Sequence, residues 1–310
     1  MTYKEKPKII VVCGPTGIGK TSTGIEIAGV FNGEIISADS MQVYRYMDIG
    51  TAKPTPDERA RVHHHLIDII DPIESFDAAQ FAKSAHKVII ELHGRGITPF
   101  IVGGTGLYIK ALVHGLFRAK PADKNTRMRL KKEAVVRGTD FIYKRLSECD
   151  PGSAERIHPN DTYRIIRALE IYETTEKAIS KYHREHKFAD SPFKVLKIGL
   201  QINREALYDR INRRVDAMVD AEFVDEVKGL LEKGYSADLK SMQAIGYRHM
   251  IDFIEGRISW DEALRTLKRD TRRYAKRQLT WFRADPEIEW IEPEQVKDIH
   301  GLIKSFLRLP

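Results

Sequence analysis

The sequence of 310 residues predicts an α/β fold, with a parallel sheet flanked by helices and a helical insertion. Three observations indicate this class. Short apolar runs alternate with amphipathic stretches, as in strand–helix–strand units. A glycine-rich loop joins the first apolar run to the first helical stretch. A segment from about residue 118 to residue 192 shows helical patterns without a convincing strand.

The first element is a buried strand that leads directly into a phosphate-binding loop. Residues 7–14, PKIIVVCG, are apolar and end in glycine. The following pattern G-x-x-x-x-G-K-[ST] presents backbone N–H groups and a helix N-terminus to phosphate oxygens. A glycine-rich turn without a ligand is the alternative interpretation. We predict a P-loop NTPase-like sheet whose loop binds phosphate through Gly14, Pro15, Thr16, Gly17, Ile18, Gly19, Lys20 and Thr21, with Thr21 also holding Mg²⁺.

The next elements continue the alternation. Residues 33–40 predict a second strand that ends in polar residues, and residues 98–106 predict a third that runs into glycines. Between them, residues 76–96 carry an apolar stripe at helical spacing, with Asp77 as the predicted N-cap. A further helix is expected at residues 107–115. Strands that alternate with helices in this way favour a parallel sheet.

Beyond Phe117 the pattern becomes helical and basic. Residues 125–138, 139–151 and 160–175 are amphipathic, and residues 180–192 read as a polar linker. Residues 193–202 then predict a return to the sheet, followed by long helical segments at 204–233 and 259–283 and a last strand at 287–292. We therefore predict a first core part at 1–117, a helical insertion at 118–192, and a second core part at 193–310.

Composition and charge narrow the compartment and the partners. The net charge of +7 weakly favours a polyanionic partner. Two isolated cysteines make no disulfide framework, which indicates the cytoplasm. No apolar run reaches the length of about 18 residues that a membrane span requires, and the N-terminus has no signal-like region.

The usual second half of a triphosphate-hydrolysing site is weak in this sequence. Such enzymes pair the phosphate loop with an apolar strand ending in a metal-orienting aspartate. The best buried strand instead ends in Gly103, Gly104 and Thr105, and Asp68 and Asp71 follow a poorly alternating stretch. This favours a loop that holds phosphate over one that transfers a phosphoryl group.

A second polar cluster follows the second strand. Asp39 stands at the carboxyl edge of the sheet, where the phosphate loop also opens, so that it could act as a general base. A capping aspartate at a turn is an equally good interpretation from the residues alone. Gln42 and Tyr44 add groups suited to a polar substrate, and Lys53 could add a cation near phosphate.

Seven motifs together resemble one family along nearly the whole chain. They are GPTGIGKT (14–21), ISADSMQVYRYMDIGTAKP (36–54), HHLID (64–68), FIVGGTGLYIKAL (100–112), NDTYRIIRALEIYETT (160–175), QAIGYR (243–248) and RRYAKRQLTWFR (272–283). Their content and order are similar to the tRNA dimethylallyltransferase family, which prenylates the adenosine 3′-adjacent to the anticodon. One departure is Glu222, where the family usually has glycine.

The resemblance implies a mechanism of alkyl transfer in which the loop holds dimethylallyl diphosphate with Mg²⁺. The exocyclic N6 of adenine would attack the allylic carbon, and diphosphate would leave. Asp39 would accept the N6 proton, and Thr105 would lie near the reactive centre. Arg210 and Arg214 lie one helical turn apart, and we assign Arg214 to the diphosphate. The enzyme is expected to be a monomer.

The resemblance also implies tRNA contacts in several segments. The helix at 265–283 carries a basic stripe with interleaved aromatic residues, although a solvated basic face would look the same. QAIGYR is expected near the reaction site. The predicted tRNA-binding residues are Asp39, Ser40, Met41, Gln42, Thr105, Arg127, Tyr163, Arg164, Ile165, Ile166, Arg167, Arg272 and Arg273.

Other interpretations remain open at this point. His63, His64 and His65 lack Cys or carboxylate partners at zinc spacing, and we predict a structural or substrate-proximal role. The main alternative function is a small-molecule or nucleoside kinase with a helical lid. A third is a non-catalytic RNA-binding protein with a vestigial loop, which the intact Gly-Lys-Thr sequence and Asp39 disfavour.

Overall fold

The apolar runs of the sequence form one parallel sheet. Its strands are β1 (Lys8–Cys13), β2 (Gly33–Ser37), β3 (His64–His65), β4 (Thr98–Gly103), β5 (Lys194–Leu200) and β6 (Ile288–Ile291). They lie in the order β3-β2-β4-β1-β5-β6, and every neighbouring pair is parallel. Five of the six positions of β1 are buried, as expected for a central strand covered on both faces. The predicted α/β class is confirmed.

The computed structural model describes residues 6–116, 123–186 and 191–309. The chain divides into two compact units, one formed by Met1–Val113 and Pro192–Pro310, the other by His114–Ser191. The predicted boundary between residues 117 and 118 lies outside the described residues. The second unit contains helices only within its described part.

Fourteen helices lie within the described residues. They are α1 (Lys20–Val30), α2 (Pro56–Arg61), α3 (Ala78–Gly94), α4 (Gly106–His114), α5 (Lys124–Arg137), α6 (Thr139–Cys149), α7 (Pro151–Ala154), α8 (Thr162–Thr175), α9 (Ile179–His186), α10 (Arg204–Asp220), α11 (Phe223–Glu232), α12 (Tyr247–Ile254), α13 (Trp260–Arg283) and α14 (Val296–Leu307). In the described part of the chain, none is both long enough and apolar enough to span a membrane.

The core of the first unit joins sheet and helices around the phosphate loop. Ile10 and Val12 of β1 pack in one buried cluster with Ile18 of the loop and Ile211 of α10. Asp77 caps α3 as predicted, because its Oδ1 accepts hydrogen bonds from the next N–H groups of the helix at 2.9 Å. The loop is therefore anchored to the core by apolar contacts.

The predicted helical segment at 204–233 is two helices in the structure. α10 ends at Asp220 and α11 begins at Phe223, because Glu222 between them has a φ of 65°. This left-handed conformation costs a residue with a side chain about 1–2 kcal/mol. Glycine adopts it freely, so glycine would fit this junction with less strain than Glu222 does.

Candidate active site

A cavity of about 400 Å³ opens where the carboxyl ends of β2 and β4 meet the phosphate loop. Parallel sheets commonly bind ligands at this edge. The predicted site residues that line the cavity are Thr16, Lys20, Thr21, Asp39, Ser40, Met41, Gln42 and Arg214. The sequence prediction therefore brought two separate motifs to one place correctly.

Three glycines shape the backbone of the loop that borders the cavity. Gly14, Gly17 and Gly19 all have positive φ values. At Gly17 a Cβ would also lie 2.9 Å from the Ile211 side chain, so that only glycine fits without displacement. α1 begins after Gly19 with no side-chain cap and no acidic residue in its first turn. Its first N–H groups are therefore available to an anion.

Two cations of the cavity lie in a desolvated environment. Burial lowers the pKa of Lys20 to about 8, with the positive charge of Arg214 adding to this effect and Asp39 opposing it. Burial also lowers the pKa of Arg214, again against the attraction of Asp39. Within the described residues, Arg214 makes no hydrogen bond or ion pair. By contrast, Arg210 donates to Glu294 and to the Ile18 carbonyl, and so it stabilises the loop from outside the cavity.

Asp39 is held on a tight turn at the end of β2. Its Oδ1 accepts the Met41 N–H at 2.8 Å, and the Ser40 N–H donates to Thr105 Oγ1 at 3.0 Å. β2 and β4 approach so closely here that a Cβ on Gly103 would lie 2.2 Å from the Ala38 carbonyl oxygen. Asp39 is the only carboxylate among the described residues that line the cavity.

Thr105 lies next to the cavity and supports the turn that carries Asp39. Its hydroxyl accepts the N–H of Ser40, which lines the cavity, while Thr105 itself is not among the described lining residues. This contact gives Thr105 a positioning role, and its predicted catalytic role stays a prediction.

Sequence reasoning missed Gln278 of α13 as a site residue. Its Oε1 accepts the Thr16 N–H, and its Nε2 donates to the Gly104 carbonyl, both at 2.8 Å. The side chain thus clamps the phosphate loop to the end of β4. A signal was present: this amide lies three residues after buried Ala275 and four before buried Phe282, in the apolar stripe of a basic helix. Tyr274 and Arg277 of the same helix also line the cavity.

The prediction that Lys53 adds a cation near phosphate is wrong. Its Nζ is 2.5 Å from Asp48 Oδ1 and 2.6 Å from Asp68 Oδ1, and it also donates to the Tyr44 carbonyl. Two carboxylates neutralise it, and it fastens the loop between β2 and α2. Tyr44 is buried and does not line the cavity.

Glu226 is a second residue that the sequence did not reveal. Its carboxylate accepts the N–H groups of Asp48, Ile49 and Gly50 at 2.7–3.2 Å, and the Tyr247 hydroxyl at 2.6 Å. Burial and this carboxylate raise the pKa of Tyr247. Because Gly50 and Tyr247 both line the cavity, Glu226 positions its wall from behind.

Other cavity residues match the predicted motifs. Gln243, Ala244, Ile245 and Gly246 of QAIGYR line the cavity, so this motif lies at the candidate site. Gln42 lines it too, but its amide group accepts from the Ser37 hydroxyl and donates to the Ala52 carbonyl. That amide shapes the wall of the cavity.

The insertion unit separates its predicted tRNA contacts into exposed and buried residues. Tyr163 is 71% exposed, whereas Ile165 and Ile166 are 0% and 5% exposed in the hydrophobic core of α5, α6 and α8. Their side chains are therefore packed inside the unit, and the predicted tRNA contact of these two residues stays a prediction. They occupy the inward face of an amphipathic helix, and neighbouring Arg164 lies on the exposed side.

Arg127 and Arg167 have internal partners within the same unit. Arg127 donates to Glu170 Oε2 through Nε and Nη2 at 3.1 and 2.7 Å, and Arg167 Nη1 lies 3.2 Å from the same oxygen. Glu170 is 1% exposed. A buried carboxylate requires such partners, so both arginines hold the fold of this unit.

Arg272 and Arg273 differ in exposure although they are adjacent. Arg272 donates to Asn212 Oδ1 at 2.7 Å and packs against the Tyr208 ring. The Arg273 side chain is 65% exposed, with Asp270 at 3.8 Å. Lys276 and Arg277 continue its exposed face.

Comparison with known proteins identifies the family of the chain. The IPP transferase family model matches residues 42–285. The tRNA dimethylallyltransferase of Desulfosudis oleivorans is 53% identical, over 98% of this chain and 97% of the relative.

Two solved structures share the fold. The tRNA isopentenylpyrophosphate transferase of Bacillus halodurans has a TM-score of 0.72 and 45% identity, covering 98% of this chain and 97% of that chain. A eukaryotic dimethylallyltransferase acting on tRNA has a TM-score of 0.82 and 29% identity, covering 98% of this chain and 80% of that chain. On these matches, the chain belongs to the IPP transferase family.

Proposed function

We propose that the chain is a tRNA dimethylallyltransferase. It would transfer the dimethylallyl group of dimethylallyl diphosphate to N6 of an adenosine in tRNA. One observation carries this proposal: two desolvated cations, Lys20 and Arg214, face a cavity whose only carboxylate among the described residues is Asp39. The positive charges of Lys20 and Arg214 outnumber the negative charge of Asp39, so the cavity favours an anion. Diphosphate suits the phosphate loop that lines the cavity.

The reaction follows from this charge arrangement. The N6 atom forms a bond to the allylic carbon, the carbon–oxygen bond to diphosphate breaks, and both electrons of that bond leave with diphosphate. The backbone N–H groups, Lys20 and Arg214 stabilise the charge that grows on the leaving group. Asp39 accepts the N6 proton as the new bond forms, which assists an amine whose lone pair is delocalised into the ring.

Thr21 suits a magnesium ion beside the diphosphate. It lines the cavity at the start of α1, and its hydroxyl makes no hydrogen bond within the described residues. A hydroxyl oxygen is a ligand that Mg²⁺ accepts. When bound, Mg²⁺ would neutralise part of the diphosphate charge.

The partner on the opposite side of the reaction is proposed to be an anticodon stem-loop. The adenosine 3′-adjacent to the anticodon must leave its stack to reach Asp39, which costs less in a loop than in a duplex. Exposed Tyr163 of the insertion and Arg273 of α13 offer aromatic and cationic contacts for RNA. We further propose that the enzyme acts as a monomer in the cytoplasm.

A double-label assay tests the proposal. The protein is incubated with Mg²⁺, tRNA that lacks the modification, dimethylallyl diphosphate labelled with ¹⁴C, and ATP labelled with ³²P at the γ-phosphate. We expect ¹⁴C in tRNA at one group per molecule and no ATP-dependent ³²P transfer. Transfer of ³²P to RNA or to a small molecule would instead support the kinase. Tight tRNA binding without either label would support a non-catalytic RNA-binding protein.

A further inference from the structure

Three metal-ligating side chains meet at the edge of the sheet. The carboxylate of Glu34 and the imidazoles of His63 and His65 lie with one ligand atom each within 4.8 Å of one another. His65 Nε2 is 2.7 Å from Glu34 Oε2. The two imidazole rings are 4.4 Å apart, edge to face. None of the three lines the cavity described above.

The strand register explains why this group assembles. β2 pairs with β3 in parallel, with Ile35 opposite His64, and the Ile35 N–H donates to the His63 carbonyl at 2.9 Å. Residues two apart on an extended strand point to the same face. His63 and His65 therefore share the face that Glu34 occupies on β2, whereas His64 lies on the other face and lines the cavity.

Nearby positions of the sequence offer no metal-ligating partner for these histidines. Glu34 is 31 residues from His65 along the chain, and only strand pairing brings them together. Sequence spacing cannot report such a partner. The structure supplies the carboxylate whose apparent absence had argued against a metal.

The donors and their surroundings suit a divalent transition metal. Two imidazole nitrogens and one carboxylate oxygen form a ligand set typical of zinc, with one position left for water. Arg95 Nη2 donates to Glu34 Oε1 at 3.0 Å, which orients the carboxylate and leaves Oε2 toward the histidines. His63 is exposed, whereas His65 and Glu34 are mostly buried, so an ion has a path of entry.

We propose that Glu34, His63 and His65 bind Zn²⁺ and fasten β3 to β2. β3 has only two residues, so few ladder hydrogen bonds hold this edge of the sheet. The ion would replace the contact between Glu34 and His65 with three coordination bonds. It would thereby stabilise the segment that carries His64 against the cavity.

Zinc titration of the full chain, purified without a histidine tag and treated with EDTA, tests the site. Calorimetry with ZnCl₂ is compared for the wild type, His63→Ala, Glu34→Gln and the control His93→Ala. His93 is an exposed histidine of α3 outside the cluster. We expect one site in the wild type, unchanged affinity in the control, and binding at least about tenfold weaker in both cluster variants.

Two further measurements separate this site from other zinc sites and from misfolding. Co²⁺ should give visible absorption bands of a four-coordinate site in the wild type and lose them in His63→Ala. Zn²⁺ should raise the melting temperature of the wild type but not that of Glu34→Gln, whose folding is checked by circular dichroism. Wild-type affinity no higher than that of the cluster variants, or equal loss in His93→Ala, would overturn the proposal.

Discussion

Asp39 and Lys20 both line the candidate site, and different hydrogen bonds hold the two side chains. Asp39 is positioned by the Met41 N–H and, through Ser40, by Thr105. Lys20 Nζ donates to the Pro15 carbonyl at 2.8 Å and is desolvated. The carboxylate is thus held by the Met41 N–H on a turn that is tied to Thr105, while the cation is available to a ligand that replaces its carbonyl partner.

Replacing Asp39 by Asn should reduce turnover by about 10²–10⁴-fold, because the amide cannot accept the N6 proton. Asn retains an oxygen that accepts the Met41 N–H, so the turn should persist. Steady-state kinetics with tRNA and dimethylallyl diphosphate measure the effect, and the dissociation constant for tRNA should change little. Glu26→Gln, on an exposed position of α1, is the control. A parallel loss of tRNA affinity and turnover would contradict the role of Asp39 as base.

The lowered pKa of Lys20 predicts how diphosphate binding depends on pH. Without ligand, Lys20 loses its proton as the pH rises through about 8. A bound anion raises that pKa, so binding takes up a proton and weakens by up to about tenfold per pH unit above pH 8. Calorimetry with inorganic diphosphate between pH 7 and about pH 9.5 measures this dependence.

Lys20→Arg is the matched control for this titration. Arginine stays charged over the whole range, so its curve reports only the titration of the ligand. We expect the wild-type affinity to fall more steeply than that of the variant above pH 8. Two parallel curves would show that Lys20 keeps its proton in the free enzyme.

At the scale of elements, the sequence predicts those strands and helices whose apolar residues recur at regular spacing. β1, β4 and α3 carry apolar residues at strand or helix spacing over six to 17 positions, and the structure has them where the pattern indicates. β3 has two residues, too few for any periodicity. The break between α10 and α11 depends on the single conformation of Glu222.

The residues of the candidate site also fall into two groups, those that a local motif predicts and those that only the fold brings together. The loop and Asp39 belong to motifs whose chemistry is local, so sequence could predict them. Gln278 and Glu226 act on backbone groups 262 and 178 residues away, and the spacing of residues carries no trace of such pairs. Ile165 and Ile166 show that a motif includes both exposed and buried positions, which the sequence alone does not separate.

Replacing Glu226 by Gln should destabilise the cavity wall. The amide has one acceptor oxygen, while four donors point at the carboxylate. We expect the free energy of unfolding to fall by about 1–3 kcal/mol, measured by urea denaturation. We expect KM for tRNA to rise and kcat to fall. The affinity for inorganic diphosphate should stay within twofold, or about 0.4 kcal/mol.

Glu232→Gln on the exposed face of α11 is the matched control for Glu226→Gln. It should leave stability and KM unchanged. Wild-type kinetics and stability in Glu226→Gln would show that the turn at Asp48–Gly50 holds without this carboxylate.

At the scale of the molecule, the chain has a net charge of +7, and the cations of α13 differ in how closely carboxylates accompany them. Near the start of the helix, Arg265 pairs with Glu262, and Lys268 pairs with Asp216. Toward its end, the helix has an exposed face with fewer neighbouring carboxylates, formed by Arg273, Lys276 and Arg277. Phosphate binding depends on such uncompensated cations, so we assign the RNA contact to the C-terminal half of α13.

Arg273→Glu should weaken tRNA binding and lower the slope of log affinity against log salt by about one. Filter binding at several salt concentrations measures both quantities. Arg265→Glu is the matched control, because both arginine side chains are 65% exposed on the same helix. Equal effects of the two reversals would indicate a nonspecific attraction by net charge.

The central claim is that the loop holds a diphosphate that leaves intact when an amine attacks carbon. The most direct measurement is the stoichiometry of a single turnover with tRNA and dimethylallyl diphosphate labelled with ³²P in both phosphates. We predict one inorganic diphosphate released for each N6-modified adenosine, with no label in RNA. Release of monophosphate, or ³²P retained on tRNA, would mean that the loop transfers phosphoryl groups and would contradict the account.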